Sequence, residues 1–304
     1  MRKCCRASER GFILVAVLLV STLFLGTALS FALFARNEAA RASAEEFAAV
    51  TRGIAMAALG EVREAIALDD GPSDSRVERI YSGIPVELYF SDYTARITID
   101  PLDGHIPING LLLPDGVTIK NEYSYPWARA LEALNMGHLA SVILDFIDAD
   151  TLIRAGGRES DDFPNRRLSG LSELLRLPEI TDGVLHSNGT DPAFEDFFTA
   201  HGDSGININM APIWVIAILD PGIDADTAER IVESRAEGAL TGPDDLAKIP
   251  GISKTLITRL KNVINYKSVY FRVRIEVIGR NGERNFEVTV KREQGGCSVI
   301  NWRE

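Results

Sequence analysis

Cysteine and histidine are scarce in this 304-residue chain, with three of the first and four of the second. Cys4 and Cys5 are adjacent, too close for a zinc set, and no other ligand lies near them. Cys297 would stand alone once the first residues were removed, so no intramolecular disulfide is expected. His105, His138, His186 and His201 share no metal-ligand spacing. A P-loop, a G-x-G-x-x-G turn and a G-x-S-x-G elbow are missing. No nucleophile–base pair stands out, so the sequence does not point to an enzyme. A basic excess is missing too. Net charge is −11, and −14 without the +3 that Arg2, Lys3, Arg6 and Arg10 carry against Glu9. That balance disfavours wholesale nucleic-acid binding and suits an extracytoplasmic surface or cation binding.

Charge is also missing from residues 12–35, 24 positions without Asp, Glu, Lys or Arg. As a helix this run is roughly 36 Å long, enough to cross a bilayer core of about 30 Å. Basic residues precede it, which keeps that end cytoplasmic and places the rest of the chain across the membrane. A cleaved secretory signal fits poorly, because its apolar core spans about 7–15 residues. The nearest Ala-x-Ala patterns, at 40–42 and 42–44, also lie beyond charged Arg36 and Glu38.

Residues 36–68 are rich in Ala, Glu and Arg and hold no Pro. The spacing of Ala39, Phe47, Val50, Ile54, Leu59, Val62 and Ile66 predicts an amphipathic continuation of the helix. Asp69-Asp70-Gly71-Pro72 ends it. Strands are expected at 84–90 and 93–99, where Tyr93, Ala95, Ile97 and Ile99 alternate with polar residues. Near the other end, Phe271, Val273, Ile275 and Val277 alternate in the same way. Asn281-Gly282 is the expected turn, and Phe286, Val288 and Val290 return. These four strands are expected to form one antiparallel sheet on the apolar face of the long helix. Residues 294–304 have no assigned place.

Two phrases recur, Ile106-Pro107-Ile108-Asn109 and Ile206-Asn207-Ile208-Asn209. Between them lies a helical region, with one amphipathic helix expected over 127–145 and another capped by Ser169. An acidic run joins the two. Asp145, Asp148, Asp150, Glu159, Asp161 and Asp162 crowd into eighteen residues and repel one another unless something positive sits among them. One reading is a hard cation such as calcium, which takes six to eight oxygens, although the spacing is not that of an EF-hand. The other is an acidic loop neutralised by Arg154, Arg158, Arg166 and Arg167.

An internal repeat follows. Pro221-Gly222-Ile223-Asp224 and its helix match Pro250-Gly251-Ile252-Ser253 and the next helix. Paired helix–turn–helix units of this kind form helix-hairpin-helix or SAM-like modules, commonly used on the DNA backbone. The expected second Gly is replaced by Asp224 and by Ser253. Residues 220–267 hold eight acids against seven bases, so a structural role is expected over phosphate binding.

A basic leader ending in Gly11, then Phe12, then an apolar helix resembles the class III signal of type IV pilins and type II secretion pseudopilins. The resemblance implies cleavage between Gly11 and Phe12 by a prepilin peptidase and a methylated N-terminus. The family usually carries Glu at the fifth residue after the cut, where this chain has Ala16. That loss, the two I-x-I-N phrases, the acidic run and the paired turns resemble, in order, the K-type minor pseudopilins of type II secretion systems. The resemblance implies an α+β, pilin-like fold: a long transmembrane and amphipathic helix on an antiparallel sheet, with a large inserted α-helical region that includes a SAM-like module. The expected divisions are a leader (1–11), spanning segment (12–35), amphipathic continuation (36–68) and first part of the α/β domain (69–110). Then come an inserted helical domain (111–204), the paired module (205–267), the C-terminal hairpin (268–292) and a tail (293–304). Implied partners are the I- and J-type minor pseudopilins, the major pseudopilin, and secreted substrates or the outer-membrane secretin. The implied place is a single pass of the inner membrane with a periplasmic main domain, and relatives of this type bind calcium. The competing reading is a membrane-anchored nucleic-acid receptor using the paired turns.

Overall fold

The structure is a computed structural model that describes residues 7–190, 192–202 and 205–304, with backbone alone for 7–12. The head of the expected leader, residues 1–6, lies outside the described residues. The chain divides into two units, residues 1–54 and 55–304.

The first unit is helical. α1 (Ala7–Leu68) begins in it, and the apolar side chains from Ile13 to Phe34 are exposed. By length and composition this helix can cross a membrane. Nothing in the helix interrupts it, because it lacks Pro and its Ala, Leu and Glu favour helical backbone.

In the second unit the last turns of α1 bury Ala55, Ala58, Leu59, Val62 and Ile66, a stripe at helical spacing. Each of the larger three contributes about 1.5–3 kcal/mol by leaving water. Of the stripe expected from sequence, Leu59, Val62 and Ile66 are buried, while Ala39 and Val50 are exposed. Arg63 donates to the carbonyl of Cys297 at 2.6 Å, which ties this segment to the sheet.

The chain then runs through β1 (Val86–Phe90), β2 (Tyr93–Pro101), β3 (Ile106–Pro107), α2 (Asn121–Ala133) and α3 (Ala140–Ile147). It continues through α4 (Asp182–Leu185), α5 (Phe194–Phe197), β4 (Phe198–Thr199), β5 (Ile206–Asn207), α6 (Ile213–Ile216) and α7 (Ala225–Glu237). It ends with α8 (Pro243–Leu246), α9 (Lys254–Leu260), β6 (Ile264–Asn265), β7 (Tyr270–Gly279), β8 (Gly282–Glu293) and β9 (Gly296–Arg303).

β1, β2, β7, β8 and β9 form one antiparallel sheet in that order. Register puts Ile97 opposite Ile275 and Ile275 opposite Phe286, so a single face collects the buried residues. The four expected strands are present and the sheet has a fifth. Residues set aside as a tail form β9, paired with β8. The β7–β8 turn is Arg280-Asn281, one residue earlier than expected, with Gly279 opposite Gly282.

The helix expected over 127–145 is two helices. Asn135 adopts φ 55 and Gly137 opens a short 3-10 turn, which breaks the run between α2 and α3. Ser169 caps no helix. A 3-10 segment, Leu171–Arg176, follows Gly170, and Glu173 reaches back to accept the Ser169 N–H. One hydrophobic core runs from Ile106 to Ile264, so the stretches 111–204 and 205–267 share their interior.

Candidate functional site

The acidic run folds back on the end of α3. Asp145 lies on its last turn and Asp148 just past it, both fully buried. The Arg154 guanidinium sits on both, donating to Asp145 Oδ1 at 2.8 Å, to Asp148 Oδ2 and to the carbonyl of Val117. Asp145 also accepts the Arg158 N–H at 2.9 Å. The loop can approach so closely because residue 157 is Gly, where a Cβ would lie 2.0 Å from Asp145 Oδ2. Glu159 completes the group, and the carboxylate oxygens of Asp145, Asp148 and Glu159 lie within 4.8 Å of one another. Asp148 Oδ1 and Glu159 Oε1 are buried without a hydrogen-bond partner. Burial pushes both carboxyls above their usual pKa.

The structure thus brings together three of the six expected acids. Asp150 accepts the Leu152 N–H in a local turn, and Asp161 and Asp162 are exposed outside the group. Of the four arginines expected to neutralise the loop, Arg154 does so. Arg158 pairs with Glu179 and Arg166 with Glu173.

The repeat forms two helix–turn–helix units. Asp224 caps α7 by accepting the Thr227 N–H at 2.8 Å, and Ser253 caps α9 by accepting that of Leu256 at 3.1 Å. The residues standing where a second Gly was expected are therefore helix caps. Equivalent arginines cross between the units. Arg230 of α7 donates to the Pro250 carbonyl at 2.8 Å, and Arg259 of α9 pairs with Asp220 at 2.6 Å. Each lies over the other unit's turn, since a Cβ on Gly222 or Gly251 would meet the facing guanidinium at 2.9 Å. Asp220 also takes the Gly222 N–H at 2.7 Å. A carboxylate therefore holds the amide that a phosphate would need in the first turn, and that charge repels an anion. Pro221, Gly222 and Ile223 precede α7, and Pro250, Gly251 and Ile252 precede α9, with Ile223 and Ile252 in the core.

The two I-x-I-N phrases open parallel pairings, β3 with β4 and β5 with β6. In each, the last Asn fastens distant backbone. Asn109 accepts the Leu168 N–H and donates to the carbonyls of Leu168 and Ala200. Asn209 accepts the Leu240 N–H and donates to its carbonyl. Sequence reading missed the junction beside the second phrase. There Arg292 of β8 pairs with Asp69 and Asp74, Tyr81 donates to Asp69, and buried Asp103 accepts the N–H groups of Val269 and Tyr270. The available signal was acids placed just past a helix end and in a turn, facing an Arg at a strand end.

Gly11 and Phe12 fall where backbone alone is described, within α1, and Ala16 lies in its exposed apolar part.

Residues 206–264, the span from β5 to β6 that holds the paired turns, match the family model for type II secretion system (T2SS), protein K. No curated protein matches the chain. Among solved structures, it is similar to a chain of the GspK-GspI-GspJ complex from the enterotoxigenic Escherichia coli Type 2 Secretion System. The two are 15% identical with a TM-score of 0.59, over 88% of this chain and 98% of that one. At that identity the likeness speaks to the fold. This chain is α+β, with a long apolar N-terminal helix and an antiparallel sheet.

Proposed function

We propose that this chain is a minor pseudopilin of the type II protein secretion system, placed at the tip of the pseudopilus with I- and J-type partners. The match of residues 206–264 to protein K carries this reading. The fold supports it, being shared with a chain of the GspK-GspI-GspJ complex. The exposed apolar stretch of α1 supplies the membrane anchor, with the basic head cytoplasmic and the main domain periplasmic. The paired turns read as a SAM-like module that serves structure. The nucleic-acid alternative finds no support, because Asp220 holds the first turn's amide and Arg259 is committed to Asp220.

Ala16 bears on the tip position. A carboxylate in the bilayer costs at least ~2.5–3.5 kcal/mol unless paired. By the resemblance, a subunit with another above it uses Glu at that place to meet the neighbour's amine. A subunit with nothing above has no use for it. Its work is then to start assembly and aid export, and the major pseudopilin, secreted substrates and the secretin are its further contacts. Intact mass of the chain extracted from membranes tests the route. A start at Phe12 with one added methyl is expected. A start at Met1 overturns it.

A cation at the acidic group is part of the proposal. Asp148 Oδ1 and Glu159 Oε1 are buried oxygens without a hydrogen-bond partner, and Arg154 offsets one charge of three. Such a donor set fits calcium held by Asp145, Asp148 and Glu159. Calorimetry with calcium on the chain and on Glu159→Gln is the test. Saturable binding lost in the variant is expected, and no binding to the parent chain leaves the salt-bridged loop as the whole account.

A further inference from the structure

Within the second unit, the sheet and the helical region enclose a cleft. Cavities of about 540 Å³ and 370 Å³ share Gly170, Ser172, Ala200, His201, Asn301 and Arg303, so they are continuous. A third, of about 210 Å³, joins the larger through Asn109 and Arg167. The cleft is therefore elongated and runs beside β9. That strand lies at the sheet's edge and pairs on one side only.

The charge of its 540 Å³ cavity runs against that of the chain, with Arg167, Lys291 and Arg303 against one acid, Glu173. The adjoining 370 Å³ cavity is mixed, with Arg272 and Arg303 beside Glu195, Asp196 and Glu287. Glu173 is already engaged by Arg166 and the Ser169 N–H. Among the described residues, the guanidinium groups of Arg167 and Arg303 have no hydrogen bond or ion pair. Unspent cations are unusual in a chain with 43 acids against 32 basic residues. Burial, with Arg272 and Arg303 nearby, holds the His201 pKa below the usual value, which disfavours a further positive charge there.

The wall is apolar in places. Thr289 pairs with Asn301 and Val290 with Val299, which leaves Ile300 as the extra residue of a β-bulge. The bulge turns Ile300 into the lining of the cavity, where it stays 49% exposed. Tyr270 lies across from it under the Lys291 ammonium, 5.2 Å from the ring centre.

We propose that this cleft docks an extended acidic peptide segment of a partner protein. Its carboxylates would meet Arg167, Lys291 and Arg303, and an apolar residue would lie against Ile300 and Tyr270. The length of the connected cavities favours a peptide over a compact anion, and the free edge of β9 suits an extended chain. The proposal stands without the assembly reading, because the purified chain alone should show it.

The test is fluorescence anisotropy with the full chain in detergent micelles. The probe is a labelled short peptide of Glu and Asp around a central Leu. Its control replaces every acid with Gln or Asn. The acidic peptide is expected to bind, with the control about tenfold weaker and the difference shrinking with added salt. The double variant Arg167→Glu, Arg303→Glu should lose about tenfold. Arg303→Gln, which leaves no hydrogen-bond partner behind among the described residues, should lose about threefold and guards against a misfolded double variant. Three results would overturn the proposal: equal binding of acidic and amide peptides, unchanged binding by Arg303→Gln and the double variant, or displacement of the peptide by an equal concentration of free glutamate.

Discussion

Asn209 is 2% exposed, and its side-chain amide accepts the Leu240 N–H and donates to the Leu240 carbonyl across 31 residues of chain. Replacing it with Ala leaves a buried N–H and a buried carbonyl without partners, at about 1–3 kcal/mol. Asn209→Ala should therefore lower urea stability by that amount. Asn209→Asp should do no better, because a carboxylate cannot donate to the Leu240 carbonyl. His105 gives a pH dependence. Loss of hydration pushes its pKa down to about 4 from 6.5. The unfolded chain then takes up the proton first, so stability is full above pH 6.5 and falls as pH drops toward 4, by about 3 kcal/mol in all. A His105→Gln chain should show a flatter denaturation profile between those values. The I-x-I-N phrases were visible as a repeat. Their role was not, because the backbone each Asn fastens lies far along the chain.

The elements of the sheet were the more readable part, since alternation of apolar and polar residues states which face is buried. β9 escaped for two reasons. It follows β8 through a tight Gln294-Gly295 turn, and the bulge at Ile300 breaks its alternation. The helix expected over 127–145 failed at Asn135, whose short polar side chain tolerates left-handed backbone where most residues do not. In the acidic loop, composition revealed the crowding, and only the fold showed that Gly157 lets three acids converge while Asp161 and Asp162 face solvent. The join between α1 and the sheet depends on Arg292, whose guanidinium meets Asp69 at 2.8 Å and Asp74 at 2.9 Å. Asp74 is fully buried. Arg292→Leu strands that charge, and removing one partner of a buried pair costs about 3–5 kcal/mol. Chemical denaturation should show a loss of that size, and a change within 0.5 kcal/mol would contradict the assignment.

At the scale of the molecule, the exposed apolar side chains from Ile13 to Phe34 need a cover that the chain itself does not supply. In the proposed assembly a bilayer would supply that cover, together with neighbouring subunits. Ala16→Glu probes the arrangement. In the proposed tip position the new carboxylate would find no amine, and recovery of assembled complex should fall. Undiminished recovery would mean that a neighbour neutralises it and that the chain does not stand at the tip. Sequence carried much of this scale, because a long uncharged run and its basic flank are local features, while partner faces depend on packing. The most direct test of the account is the mass of the full chain extracted gently from membranes that also hold I- and J-type minor pseudopilins. The account predicts a complex with one copy of each. Recovery of the chain alone, from membranes where the other two still associate, would contradict it.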